Sequence, residues 1–327
     1  MVTPLPEGVL RPDAPGLRRA VVAIGGNSLI KDAAHQTVED QYAAAAETSS
    51  HIVPLIASGW DVVVVHGNGP QVGFILRRSE LSRHELHEVP LEVCGADTQG
   101  AIGYALQQNL QNAFRRIGVP RRVVTIVTQV EVDAADPAFA RPSKPIGGFM
   151  DETLAREREA DGWHVAEDAG RGWRRVVASP RPQRIVELDT ISALLDSGTT
   201  VIGVGGGGIP VVMTDDGLVG VAAVIDKDAA AALLADQLDA EMLLISTSVE
   251  KVALDFGTPE QRDLDQMTVA EARAYLDEGR HFAAGSMAPK IAAAVEFLES
   301  GGGFVVITDP ENIAEAVAGR TGTRIVP

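Results

Sequence analysis

Three lysines sit where an ammonium group could do more than keep the chain in solution. Lys144 lies in Pro142-Ser143-Lys144-Pro145-Ile146-Gly147, Lys227 in Asp226-Lys227-Asp228, and Lys290 ends Gly285-Ser286-Met287-Ala288-Pro289-Lys290. The chain holds only five lysines, and the other two, Lys31 and Lys251, have no comparable setting. A loop lysine is ordinarily just solvated, but the Asp-Lys-Asp run carries two compatible readings. Asp226 or Asp228 caps a helix start by taking backbone amides, and the two carboxylates hold the ammonium in place for a phosphoryl group. Three glycine-rich stretches accompany the lysines: Gly25-Gly26-Asn27-Ser28, His66-Gly67-Asn68-Gly69-Pro70-Gln71 and Gly205-Gly206-Gly207-Gly208-Ile209-Pro210. Glycine lets backbone amides approach an anion with no Cβ in the way, and a following helix adds its positive N-terminal dipole. Phosphoryl transfer gives these parts a reason to coexist, because it needs positioning and charge neutralisation more than a covalent intermediate. If the acceptor is itself an anion, no general base is required. The two negative reactants must instead be brought together against their repulsion, and lysines and loop amides offset it. The sequence has no clear Ser-His-Asp or Cys-His set.

Something must carry these loops to one place. Short apolar runs at 20–24, 62–65, 123–127, 200–204, 242–245 and 304–307 read as buried strands. Helical patterns fall between them, notably at 38–57, 97–116, 228–238, 269–276 and 289–298. The alternation predicts an α/β fold, a mainly parallel sheet covered by helices. Each glycine stretch directly follows a strand. In an open parallel sheet the loops at the strands' carboxyl ends converge on one crevice, so three such loops point to a shared anion site.

Two places break the alternation. Residues 133–182 are polar, rich in arginine and proline, and hold Trp163 and Trp173, which fits an excursion from the sheet, either a lid or an interface flap. Residues 209–224 alternate apolar side chains around Asp215-Asp216-Gly217 and read as a β-hairpin. That hairpin disposes of one false lead. Gly203, Gly205 and Gly208 match a G-x-G-x-x-G pattern with Asp226 at a suitable distance, but the dinucleotide fingerprint must open into a helix. No P-loop or protein-kinase motif set is present.

Composition narrows the partners. At 327 residues the chain is long enough for two lobes, and 45% hydrophobic against 22% charged residues supports a sizeable core. A formal charge of −17 argues against nucleic acid and against an acidic membrane surface. Cys94 is the only cysteine, so no internal disulfide forms, and it reads as a small buried hydrophobe. No apolar run approaches the roughly 20 residues that span a bilayer. The proline-rich start, residues 1–18, reads as a flexible tail with no signal-peptide core, which places the chain in the cytoplasm. His84 and His87, among acids, read as surface residues of an exposed helix, and His66 as a packed neutral histidine.

Several segments together resemble carbamate kinase. They are Gly25-Gly26-Asn27, His66 to Gly73, Cys94 to Gly100, Glu167 to Arg175, Gly205 to Pro210, Val224 to Asp228, Gly285 to Lys290 and Thr321 to Arg324. The match runs in order over nearly the whole chain. The glycine loops and internal lysine are shared by the wider amino-acid kinase superfamily, whereas the run from Glu167 to Arg175 and the Pro-Ser-Lys-Pro-Ile-Gly segment are more specific. The resemblance implies an open α/β/α sandwich and a homodimer. It implies an N-lobe at about 19–205 for carbamate, a lid at about 133–182, and a C-lobe at about 206–327 for nucleotide. It implies reversible transfer between ATP and carbamate with Mg²⁺, giving ADP and carbamoyl phosphate, often serving ATP formation after arginine or agmatine breakdown. By the same resemblance Gly25, Gly26 and Asn27 would contact the transferring phosphate, and Gly67, Asn68 and Gly69 the carbamate side. Lys144 would reach in from the lid, Lys227 and Lys290 would neutralise the phosphates, and Asp228 would orient the lysines. Gly206 and Gly207 would serve the nucleotide, with Met287 near the adenine. Two departures stand out: Ser28 replaces the usual alanine, and Ser246-Thr247-Ser248-Val249 replaces a Leu-Thr-Asp-Val-like run, which bears on nucleotide affinity. The rival readings are another small-acid or nucleotide kinase of the superfamily, or a non-catalytic binder of carbamoyl phosphate or nucleotide. The presence of all three lysines and Asp228 weighs against the binder.

Overall fold

The six apolar runs become strands of one sheet. The structure, a computed structural model, describes residues 18–26, 29–30, 35–167, 172–283 and 285–327. The expected N-terminal tail lies outside the described residues apart from Arg18, as do Asn27, Ser28, Lys31 and part of the run from Glu167 to Arg175. The main sheet has eight strands. In spatial order they are Gln266–Thr268, Thr323–Val326, Phe304–Thr308, Met242–Ser246, Arg19–Ile24, Asp61–His66, Thr199–Ile202 and Arg122–Thr125. Every neighbouring pair is parallel except Phe304–Thr308 with Thr323–Val326. The first two strands in this order were not expected. Gln266–Thr268 is a short edge strand and Thr323–Val326 lies inside it, paired on both sides; at three and four residues, interrupted by Gln266 and Arg324, neither shows the apolar run that marks a buried strand. Two expected strands stop early, at Thr125 and Ile202; Val204 takes a left-handed backbone (φ 52°) that ends the second.

Helices cover both faces, as a parallel sheet requires. Along Arg19–Ile24, Val21 and Ala23 enter one core, and Ala20, Val22 and Ile24 the other. The first core is closed by Leu188–Asp196, Lys227–Gln237, Val269–Glu278 and Met287–Glu299. The second is closed by Val38–Ala57, Leu91–Arg116 and Ile313–Val317. The helix expected from residue 97 begins at Leu91, directly after Pro90, whose fixed φ suits a helix entrance. Gln71–Ser82 is a further helix that the pattern did not reveal; Gly73 weakens its first turn as a sequence signal. His84 and His87 lie exposed beyond the end of that helix rather than on it. Among the described residues no group of three metal-ligating side chains forms, and no helix is long and apolar enough to cross a membrane.

Both breaks in the alternation have structures that explain their composition. Ile209–Thr214 and Gly217–Gly220 form the expected hairpin, so the G-x-G-x-x-G match opens into a strand. The excursion leaves and returns through Gln129–Val132 and Pro182–Ile185, which pair antiparallel. Between them Lys144–Met150, Trp173–Val177 and Val165–Glu167 form a small antiparallel sheet with the helix Glu152–Ala160. Its arginines cover its tryptophans: Arg156 lies 4.6 Å from the Trp173 ring centroid, and Arg175 lies 4.4 Å from that of Trp163.

Candidate active site

Arg19–Ile24, Asp61–His66 and Thr199–Ile202 stand side by side and parallel, so their glycine loops leave one edge together. The absence of Cβ atoms is what lets the loops nest. A Cβ on Gly26 would lie 3.0 Å from the Gly69 carbonyl oxygen, and one on Gly205 would lie 2.3 Å from His66 Nε2. At Gly206 the backbone is left-handed (φ 68°), and a Cβ would fall 2.3 Å from Asn68 Nδ2. Gly206→Ala therefore meets both strain and overlap, and it displaces the Asn68 side chain. The expected cost is about 1–3 kcal/mol of stability, with KM for a substrate that enters the cavity beside Asn68 raised about tenfold; urea unfolding and steady-state kinetics read the two effects.

His66 is buried, and its Nδ1 donates to the Gly67 carbonyl at 2.8 Å. Burial, against that one hydrogen bond, pushes its pKa down from 6.5 to about 4. The packed neutral histidine expected from sequence is what the structure holds. A base with a lowered folded pKa stays neutral while the unfolded chain takes up a proton, so its share of stability is lost as pH falls from 6.5 towards 4. That loss is expected to be roughly 3 kcal/mol, and to vanish in His66→Gln when unfolding is followed at both ends of this range. Cys94 is likewise buried, its thiol pushed up to about 11 by burial and then by Asp97, so it is no thiolate.

The three lysines converge on two aspartates. Asp226 is the N-cap of Lys227–Gln237, its Oδ1 accepting from the amides of Asp228 (2.9 Å) and Ala229 (3.3 Å). Its Oδ2 accepts from Lys144 Nζ at 2.5 Å, across 82 residues of sequence. Asp228, 3% exposed, accepts from Lys227 Nζ at 2.5 Å on Oδ1 and from Lys290 Nζ at 3.1 Å on Oδ2. The expectation that both carboxylates hold Lys227 is thus corrected. Asp228 holds it, and Asp226 is turned by its capping role towards Lys144. Burial would raise the Asp228 pKa, but Lys227 and Lys290 outweigh it and hold the carboxyl at about 2. For Asp226 burial likewise opposes, and Lys144 wins, leaving it below the ordinary range. Burial lowers Lys227, Asp228 resists, and Lys290 adds to the lowering. Three ammoniums against two carboxylates leave an excess positive charge inside a chain of net −17.

That excess faces the loops. A cavity of about 200 Å³ is lined by Gly26, Gly67, Asn68, Gly69, Gly206, Lys144 and Lys227. Lys227 crosses it so closely that a Cβ on Gly67 would lie 3.4 Å from its Cδ. Lys290 joins through Asp228 rather than lining the cavity. Gly25 turns its missing Cβ towards the Ser246 carbonyl oxygen, 3.2 Å away, and Gly207 lies against Ile225. Met287 opens its helix, partly buried against the core, outside this cavity. Asn27 lies outside the described residues.

One positioning residue went unseen in the sequence. Gln99, 1% exposed, donates from Nε2 to the carbonyls of Thr128 (3.0 Å) and Gly205 (2.9 Å), and accepts from the Thr128 amide at 2.7 Å. It ties the third glycine loop to the helix Leu91–Arg116. A glutamine in a helix carries no pattern that separates such a clamp from a solvated side chain.

Comparison with known proteins agrees with this geometry. The model of the amino acid kinase family matches residues 18–309. A carbamate kinase-like protein of Escherichia coli, YahI, is 52% identical over 94% of this chain and 98% of its own length. Carbamate kinase of Pyrococcus horikoshii is 46% identical over 94% of this chain and 99% of its own. The structure of carbamate kinase from Giardia lamblia bound to AMP-PNP superposes with a TM-score of 0.88 at 40% identity, covering 95% of this chain and 98% of that one. The chain belongs to the amino acid kinase family, among its carbamate kinases.

Proposed function

We propose that this chain is a carbamate kinase, transferring a phosphoryl group reversibly between ATP and carbamate to give ADP and carbamoyl phosphate. The observation that carries the reading is the shared carboxylate of Asp228, which gathers Lys227 and Lys290 beside a cavity walled by Gly26 and Gly67–Gly69. In the forward step a carbamate oxygen forms the new bond to the γ-phosphorus as the bond to ADP breaks, and the leaving charge passes to ADP. No proton need move, so the work left to the protein is neutralisation and alignment. Lys227 and Lys290 neutralise the phosphates and Asp228 orients both. Lys144, held by Asp226, closes the cavity from the excursion, which acts as a lid. Gly25 and Gly26, and by resemblance Asn27, are assigned to the transferring phosphate, Gly67, Asn68 and Gly69 to the carbamate, and Gly206, Gly207 and Met287 to the nucleotide.

On this reading about 19–205 forms the carbamate lobe and about 206–327 the nucleotide lobe. Mg²⁺ enters as part of the nucleotide substrate. Both Asp228 oxygens are already taken by ammoniums, and Mg²⁺ in such sites is commonly held by substrate phosphates and water. The enzyme works as a cytoplasmic homodimer, making ATP in arginine or agmatine breakdown. ADP release with carbamate, acetylglutamate, glutamate, aspartate and UMP offered in competition tests the acceptor. Carbamate is expected to be preferred, and preference for any other acid would replace this reading. A deletion strain that keeps its full ATP yield on arginine and agmatine would remove the metabolic role.

A further inference from the structure

A second and larger cleft lies on the far side of a thin wall from the cavity just described. The catalytic cavity is bounded by Val72 and Ile146; the outer cleft, of about 300 Å³, is bounded by Gly73, Ile146 and Gly147. Between them two backbones touch, for a Cβ on Gly73 would fall 2.3 Å from Gly147 Cα. The two elements that meet there are also the ones that carry the site. Gln71–Ser82 starts directly after the loop Gly67–Pro70, and Lys144–Met150 starts at Lys144. Whatever spreads the outer cleft must move one of them.

The lining of the outer cleft states what it would take. Its charged residues are Arg77, Arg158, Arg175 and Glu80, and Arg158 is also paired with Asp161 at 3.1 Å just beyond the lining, which leaves an excess of one positive charge in a chain of net −17. Glu80 accepts from Arg175 at 2.9 Å and from Arg77 at 3.4 Å, so one carboxylate serves two guanidiniums. Arg158 and Arg175 lie 5.4 and 4.4 Å from the Trp163 ring centroid. Phe149 and Leu154, 50% and 38% exposed, leave apolar surface open at the same place. A further cleft of about 430 Å³ shares Arg77, Arg158, Trp163 and Arg175 and continues towards Arg83 and His84. Apolar walls with a few convergent cations, at this volume, suit a small molecule with a ring system and one acidic group.

We propose that the outer cleft is a second ligand site, taking a small aromatic anion, and that its occupancy alters phosphoryl transfer through the Gly73–Gly147 wall. The binding claim stands on the cleft alone; the effect on transfer rests on the carbamate kinase reading. The full chain is titrated with anilinonaphthalene sulfonate, an aromatic anion whose fluorescence reports binding. Two variants test the place: Arg77→Glu changes the charge, and Gly148→Phe fills the cleft. A Cβ on Gly148 meets nothing within 4 Å and its φ is not left-handed, so the new ring enters open space. Binding is expected to saturate at one probe per chain, to survive ADP plus carbamoyl phosphate, and to weaken about tenfold or more in each variant. Saturating probe is expected to change KM for carbamoyl phosphate about threefold in the unmodified chain and to have no effect in Gly148→Phe. Displacement by ADP, or unchanged binding in either variant, overturns the site. Bound probe with unaltered kinetics overturns the coupling. A chain without transferase activity leaves the fluorescence result readable, so failure of the two readings can be told apart.

Discussion

Lys227→Ala is expected to lower kcat by about two to three orders of magnitude while the fold survives. The loss is large because Lys227 is the ammonium that both lines the cavity and is locked by Asp228. A preorganised charge in a water-poor site needs no reorientation when negative charge gathers on the transferring group. The fold survives because Asp228 keeps Lys290, so no buried carboxylate is stranded, and a desolvated ammonium is removed. KM for ADP should change far less than kcat, since the lost interaction belongs mainly to the transition state. Near-normal turnover would remove Lys227 from the mechanism. The same group is expected to set the alkaline limit of the unmodified enzyme. Burial lowers its pKa below 10.5, so activity should fall at a pH below that of an ordinary lysine, as the ammonium loses its proton.

Asp228→Ala is expected to damage stability as well as rate. With the carboxylate gone, the Lys227 and Lys290 ammoniums face each other in a buried site with nothing between them. Breaking a buried ion pair from one side costs about 3–5 kcal/mol, enough to lower the melting temperature by about 4–7 °C in a chain of this length. Turnover should fall at least as far as in Lys227→Ala, because two cations are misplaced at once. A polyanion can stand in for the missing carboxylate, so ADP should raise the melting temperature more in Asp228→Ala than in the unmodified chain. An ADP shift of equal size in both would mean that Asp228 does not organise these lysines. The acid limb adds a check of sign. A carboxyl held at about 2, against 3.8 in the unfolded chain, contributes stability above pH 3.8 that disappears as pH falls towards 2. The variant should lack that part of the acid dependence.

What could be read from the sequence follows from what kind of signal each element leaves. The central strands and the hairpin announce themselves because burial on both faces demands apolar runs, and a tight turn demands glycine. The three lysines were legible by scarcity and setting. Their partners were only half legible. The Asp-Lys-Asp run showed that carboxylates were close at hand, but which aspartate serves which lysine depends on the cap. Asp226 must face the amides of its helix, and that leaves Asp228 to gather Lys227 and Lys290. The pairing of Lys144 with Asp226 crosses 82 residues and is fixed by where the small antiparallel sheet lands. Gln99 and the Gly73–Gly147 contact stayed hidden for the same reason. Each depends on how two elements meet, and neither alters the periodicity of its own element.

The most direct test measures ATP formed from ADP and carbamoyl phosphate by the purified chain, with Mg²⁺ present and Lys227→Ala run alongside. The expected result is sustained ATP synthesis by the unmodified chain and almost none by the variant. A folded chain that binds ADP yet makes no ATP at any pH would contradict the claim that the Asp228-centred lysines serve transfer to and from carbamate.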